Sequence, residues 1–232
     1  MLPSETHSSV VYKKLKRYAK VLIWYTPFIE RVYAWHRQRH SKTHIDRWLA
    51  CGKPVPPPHA VKAEVLRHYA ATYHLRILVE TGTQHGHMLS ALKKVFTRLY
   101  SIELDPVCYK NVRRRFHFNR RIELFCGDSA NLLPEILARL HEPTLFWLDG
   151  HYNPGQKSPG KFVTPILAEL THIFAAPRLG NVIIIDDARL FHERFGYPPL
   201  AEVLSMIEQD GGWDMLIQDD SLRLVPKLEP EG

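Results

Sequence analysis

The 232-residue sequence predicts an α/β fold: a doubly wound, mostly parallel sheet closed by a C-terminal antiparallel hairpin, with a helical N-terminal arm ahead of it. Three observations predict it. Short apolar strands alternate with helical patterns over residues 78–187. Five of those strands run into an acidic residue. The chain then ends in two strands around Gln218, Asp219 and Asp220. Alternation of strand and helix is the pattern of right-handed βαβ units, whose strands lie parallel.

The elements follow in order. A helix over about 60–73 precedes the first strand, whose end, Leu78 to Gly86 (LVETGTQHG), turns through two glycines into a helix over about 87–96. Arg98–Leu104 is the second strand and carries Glu103; a helix over about 106–117 follows. Arg121–Cys126 is the third, leading into Gly127, Asp128 and Ser129 and a helix over about 129–140. Thr144–Asp149 is the fourth, running into Gly150, His151 and Tyr152, with a helix over about 163–175 behind it. Asn181–Asp187 is the fifth, and its unbroken apolar run suits a central strand covered on both faces. Gly212–Ile217 and Ser221–Val225 form the hairpin.

In open parallel sheets, ligands bind beyond the carboxyl ends of the strands. Glu80, Glu103, Asp128, Asp149 and Asp186 all fall there. The first turn reads E-x-G-x-x-x-G through Glu80, Gly82 and Gly86. The dinucleotide fingerprint is G-x-G-x-x-G and brings backbone N–H groups against a pyrophosphate. A carboxylate in place of its first glycine repels a pyrophosphate and welcomes a cation, which points to S-adenosylmethionine over NAD. Glu103 lies 23 residues after Glu80, close to the spacing at which an acid accepts the ribose hydroxyls.

Five βα units followed by a hairpin make seven strands. That plan, with Glu80-Thr81-Gly82-Thr83, Ser101-Ile102-Glu103, Gly127-Asp128-Ser129, Leu148 to Tyr152 and Ile185 to Arg189, resembles the Rossmann-like class I S-adenosylmethionine-dependent methyltransferases over about residues 60–226. Within them it is similar to an uncharacterised bacterial branch near the macrocin and sugar O-methyltransferases. The resemblance implies that Glu80, Gly82, Thr83 and Gly86 hold the methionine end of the cofactor, that Glu103 binds the ribose, and that Asp128 and Ser129 face the adenine. Asp149 stands beside both cofactor and acceptor. In metal-dependent relatives an I-D-G-D segment and an Asp-Asp pair bind Mg2+, which implies Asp149, Asp186 and Asp187 as ligands here. The second acid of that segment is His151 in this chain.

Methyl transfer from a sulfonium needs an aligned, deprotonated nucleophile. His151, with Asp149 beside it, suits general-base work because histidine titrates near neutrality. Alternatively, a hard cation on Asp149, Asp186 and Asp187 would acidify and orient a substrate hydroxyl. Asp187 could instead cap a turn or pair with Arg189. The loop His151–Lys161 is rich in Pro and Gly and is placed over the site, with Lys157 and Lys161 set either to meet an acidic group or to stay in water. Phe191–Pro199 offers another wall, or packing under a loop.

Composition bounds the rest. The three cysteines, Cys51, Cys108 and Cys126, are scattered, which excludes a disulfide framework or zinc site and fits a cytoplasmic protein. Charge is uneven. Residues 1–55 hold 11 of the 31 Lys/Arg and 3 of the 24 Asp/Glu, leaving 20 against 21 in the remainder, so the formal +7 belongs to the arm. This divides the chain into an arm with a Pro-rich linker (1–55) and a catalytic domain (56–232). Basic and aromatic residues interleave over 10–40, suiting either peripheral contact with the inner membrane surface or docking on the chain's own domain or a second subunit, as in a homodimer. The longest apolar run, Val21 to Ile29, is too short to span a bilayer, and no small-residue cleavage site follows it.

Three functions fit. The first is methylation of a small-molecule or glycan hydroxyl. The second is nucleic-acid methylation through the basic arm, which the neutral core and the lack of an N-P-P-Y-type segment disfavour. The third is a different reaction on the same fold, hydroxylase-like or NAD-dependent.

Overall fold

The computed structural model describes residues 27–151 and 163–227. Seven strands form one sheet: β1 (Ile77–Thr81), β2 (Arg98–Glu103), β3 (Ile122–Cys126), β4 (Thr144–Leu148), β5 (Val182–Ile185), β6 (Trp213–Gln218) and β7 (Ser221–Pro226). Their order is β3-β2-β1-β4-β5-β7-β6, with β1 to β5 parallel and both contacts of β7 antiparallel. The order reverses between β1 and β4. That switch point opens a crevice at the carboxyl ends of the strands.

The helices are α1 (Pro27–Ala50), α2 (His59–Thr72), α3 (His87–Leu92), α4 (Pro106–Arg115), α5 (Ser129–Leu137), α6 (Ile166–Ala175) and α7 (Leu200–Asp210), with single 3-10 turns at Ala188–Leu190 and Glu193–Phe195. Successive side chains of a strand point to opposite faces, and the cores divide accordingly. Val79, Tyr100, Phe146 and Ile183 pack with Leu133, Leu170 and Val203 under α5, α6 and α7. Leu78, Leu99, Leu145, Trp147 and Ile184 pack with Leu66, Leu89 and Val112 under α2, α3 and α4. Helices on both faces are what bury β1, β4 and β5 along their whole length.

Turn chemistry fixes the starts of the helices that follow the acids. Asp105 accepts from the N–H groups of Val107 (2.7 Å) and Cys108 (2.9 Å), with Pro106 in the first turn, and so starts α4. Asp128 accepts from the Ala130 N–H (3.0 Å) and starts α5.

Helix α7 was not among the expected elements. Its apolar positions Leu200, Val203, Leu204 and Ile207 recur at helical spacing, Pro199 precedes it, and Gly211 ends it with a left-handed φ of 74°. It carries the chain from β5 to the edge, where β6 enters antiparallel to β7.

Most of the arm's aromatic-basic stretch, residues 10–26, lies outside the described residues. The end of α1 is docked rather than free: Trp48 is buried and donates its indole N–H to the Pro54 carbonyl at 2.8 Å. Lys53 in the Pro-rich segment reaches Asp219 of the hairpin turn at 3.7 Å. The linker is thus tied to the sheet. Among the described residues, no helix is long and apolar enough to cross a membrane.

Candidate active site

The cleft opens where the sheet reverses. It is lined by Gly82 and Gln84 after β1, Glu103 and Leu104 at the end of β2, Cys108, Gly127, Asp128 and Ser129 after β3, and Asp149, Gly150 and His151 after β4.

Gly82 is there for a steric reason. Its φ is +84°, and a Cβ added to it would stand 2.5 Å from the Asp149 carbonyl oxygen. Only glycine lets the turn after β1 pass this close to the end of β4. The Gly82 N–H continues the sheet, donating to the Ile102 carbonyl at 3.0 Å. Arg115 braces the same turn, its guanidinium donating to the His85 carbonyl at 2.6 Å.

Glu103 is oriented by two backbone donors, the N–H of Gln84 (2.6 Å) and that of Asp105 (2.8 Å). It ties the turn after β1 to the start of α4 at the mouth of the cleft. Its two oxygens have lone pairs beyond those two bonds for a further donor.

Glu80 and Thr83 lie elsewhere. Both are almost fully buried and sit behind the turn in a hydrogen-bond chain. The Ser101 hydroxyl donates to the Glu80 carboxyl at 2.5 Å and lies 2.5 Å from the Thr83 hydroxyl. Burial pushes the Glu80 carboxyl up to about 8 against the Ser101 bond, with the Glu103 charge adding to it. Glu80 is therefore a buried brace whose surroundings favour its neutral form, not an open charge on the cleft wall. Ser129 lines the cleft, but its hydroxyl is turned inward and donates to Glu169 at 2.6 Å.

Glu169, on α6, was not expected in the site. It is 1% exposed, and burial raises its carboxyl to about 7 although the Ser129 bond opposes this. It lies beneath Gly150, where an added Cβ would meet its carboxyl oxygen at 3.3 Å and the Thr81 hydroxyl at 3.2 Å.

A second, smaller cavity continues past Asp149 and Gly150, bounded by Thr164, Asp186, Asp187, Phe191 and Tyr197. The aromatic segment after β5 is thus a wall: Phe191 and Tyr197 meet edge to face at 5.6 Å. Burial, and then the charges of Asp187, Asp149 and Asp186, push the Tyr197 hydroxyl well up. Strand β5 ends at Ile185, so both aspartates lie beyond it, Asp187 in the left-handed region at φ 56°. Arg189 pairs with Asp187 at 2.8 Å, as the alternative reading of that residue had it, and also with Asp220. The Asp220 carboxylate accepts from the Arg189 N–H at 2.9 Å, so the hairpin turn holds this loop in place.

One oxygen each from Asp149, Asp186 and Asp187 lie within 4.8 Å of one another. Hard carboxylate donors at this spacing suit Mg2+ or Ca2+ in kind. The place is contested, however. Lys62, from the first turns of α2, sets its ammonium on Asp186 Oδ2 and 3.4 Å from Asp187 Oδ1. A divalent ion does not fit beside it without displacing it. Desolvation is the largest influence on Lys62 and works to lower its pKa, but the carboxylates of Asp186, Asp187 and Asp149 together outweigh it, so the net shift is upward. Burial and the crowding of like charges raise Asp149; burial raises Asp186, with Lys62 opposing.

His151 is exposed at the cleft rim, its Nδ1 3.3 Å from the Asp149 carbonyl oxygen. Lys157 and Lys161 lie outside the described residues. The structure thus brings Gly82, Glu103, Asp128, Asp149 and His151 around one cleft, and puts Asp186 and Asp187 in the adjoining one.

No family model and no curated protein matches the chain. Solved structures do. An O-methyltransferase from Bacillus cereus, in complex with SAH, is 16% identical over 82% of this chain and 91% of its own, with a TM-score of 0.54. TomG from Streptomyces achromogenes, an O-methyltransferase of tomaymycin synthesis solved with SAM, is 17% identical over 80% and 88%, with a TM-score of 0.54. The SAH-bound methyltransferase PaMTH1 from Podospora anserina is 12% identical over 99% and 100%, with a TM-score of 0.56. Strand order, the crevice at its reversal and these likenesses together define the class. The chain has the class I methyltransferase fold, as its sequence resemblance implied.

Proposed function

We infer that the protein is an S-adenosylmethionine-dependent methyltransferase acting on a hydroxyl of a small molecule or glycan. The observation that carries this is the cleft at the β1/β4 reversal, with the Gly82 turn on one side and the fixed Glu103 carboxylate at its mouth. The fold of SAH- and SAM-bound O-methyltransferases supports it.

S-adenosylmethionine would supply an electrophilic methyl group on a sulfonium. The chain's residues bind and align. Glu103 would accept from the ribose hydroxyls and Asp128 from the adenine amine, and the Gly82 turn would let backbone close on the methionine end. The acceptor would approach past Asp149 and the Phe191–Tyr197 wall, with its oxygen in line with the methyl group. A proton on Nδ1 of His151 bonds to the Asp149 carbonyl and leaves Nε2 to take the hydroxyl proton, while the methyl group would pass to the acceptor oxygen as its bond to sulfur breaks and S-adenosylhomocysteine leaves. No step needs a metal ion.

Calorimetric titration with S-adenosylmethionine, S-adenosylhomocysteine and NAD tests the reading. Binding of both sulfur compounds, weakened by about tenfold or more in Glu103→Ala, is expected, since a charged hydrogen-bond pair is lost. Preference for NAD, or no binding of either sulfur compound, would overturn it.

A further inference from the structure

Three acids crowd the acceptor cavity, and the structure shows which cations answer them. Arg189 holds Asp187 at 2.8 Å and is shared with Asp220, away from the other two acids. Among the described residues, Lys62 alone enters the cluster. Its side chain is 17% exposed, its ammonium lies on Asp186 Oδ2, and Asp187 Oδ1 is 3.4 Å away. Two of the three carboxylates that could hold a divalent ion, Asp186 and Asp187, are the ones its ammonium touches. The Asp186 side chain is 2% exposed, and its Oδ1 is buried with no hydrogen-bond partner among the described residues.

We propose that Lys62 is the resident cation of this site, standing where a divalent metal ion would stand. It supplies the positive partner of Asp186 and Asp187 without a metal. An ammonium has three N–H donors. Two meet Asp186 and Asp187, and the third, without a partner among the described residues, can hold the oxygen of an incoming hydroxyl, so Lys62 is a positioning residue for the acceptor. That last role rests on the methyltransferase reading; occupancy of the cation place does not. The site is then selective for a neutral hydroxyl acceptor and independent of added metal.

Mn2+ binding to the full chain, read by electron paramagnetic resonance, tests the occupancy. Wild type should bind no stoichiometric Mn2+. Lys62→Ala, and Lys62→Gln as a second variant should the first fail to fold, should each bind one ion, on the order of tenfold or more tighter than wild type. One ion bound tightly by wild type would overturn the proposal. So would absence of binding in folded Lys62 variants, because the carboxylates would then be no cation site. S-adenosylhomocysteine titration of the same samples reads the cofactor cleft separately: its failure sinks the methyltransferase reading, while the Mn2+ result still decides the role of Lys62.

Discussion

Glu80→Gln turns the buried carboxyl behind the glycine turn into a measurement. The side chain is 2% exposed and accepts one hydrogen bond, from Ser101. Burial moves its pKa from 4.5 to about 8. For an acid raised in the fold, the unfolded chain releases its proton first. Stability is therefore unaffected below the unfolded value and falls as pH climbs from there to the folded value. Between the two the folding equilibrium weakens tenfold per pH unit, and the whole span of the shift is worth at most about 5 kcal/mol. Glutamine has nearly the same shape, keeps an oxygen for Ser101 and does not titrate. Relative to wild type, the variant should gain stability steadily between about pH 5 and pH 8 and level off beyond. The other raised acids, Glu169, Asp149 and Asp186, are present in both proteins and cancel in the difference.

Urea unfolding of both proteins at half-unit steps of pH gives that difference directly. Two curves that stay parallel from pH 5 to 9 would refute the reasoning, since Glu80 would then be ionised in the folded protein. The outcome also bears on the cofactor. A carboxyl that is neutral in the free protein would have to lose its proton to answer a cationic ligand, so wild type should release protons when S-adenosylmethionine binds and Glu80→Gln should release fewer.

Two further predictions concern the cleft. Gly82→Ala should lose about 3 kcal/mol of stability, combining a left-handed backbone with a clash on the Asp149 carbonyl, and an unchanged thermal midpoint would refute the steric account. With an acceptor in hand, His151→Gln should lower kcat by about 10²–10⁴-fold and leave S-adenosylhomocysteine affinity unchanged, while an unaltered rate would remove His151 as the base.

What was legible in the sequence is what local chemistry decides. The five parallel strands announce themselves as apolar runs cut off by acids and glycines, and the hairpin by Asp219 and Asp220, both of positive φ. Helix α7 was equally written, in Leu200, Val203, Leu204, Ile207 and Gly211, but the aromatic stretch before it drew the functional reading instead. Lys62 and Glu169 are different in kind. Lys62 stands 124 residues from Asp186 and Glu169 40 residues from Ser129, each on a helix where a charged residue reads as a solvated face. Their partners exist only once helices α2 and α6 dock on opposite faces of the sheet. The acids themselves show the same limit. Sequence placed Glu80, Asp149 and Asp186 at strand ends as though each carried a charge. Folding then sorts them: Glu80 is sealed behind the turn, Asp149 is crowded by like charges, and Asp186 rests against an ammonium. Which carboxylate stays ionised depends on depth and neighbours, both properties of the packed sheet. The chemistry of this site therefore turns on the cations that reach its acids, and the lysine that does so comes from a helix the strand-end pattern never touches.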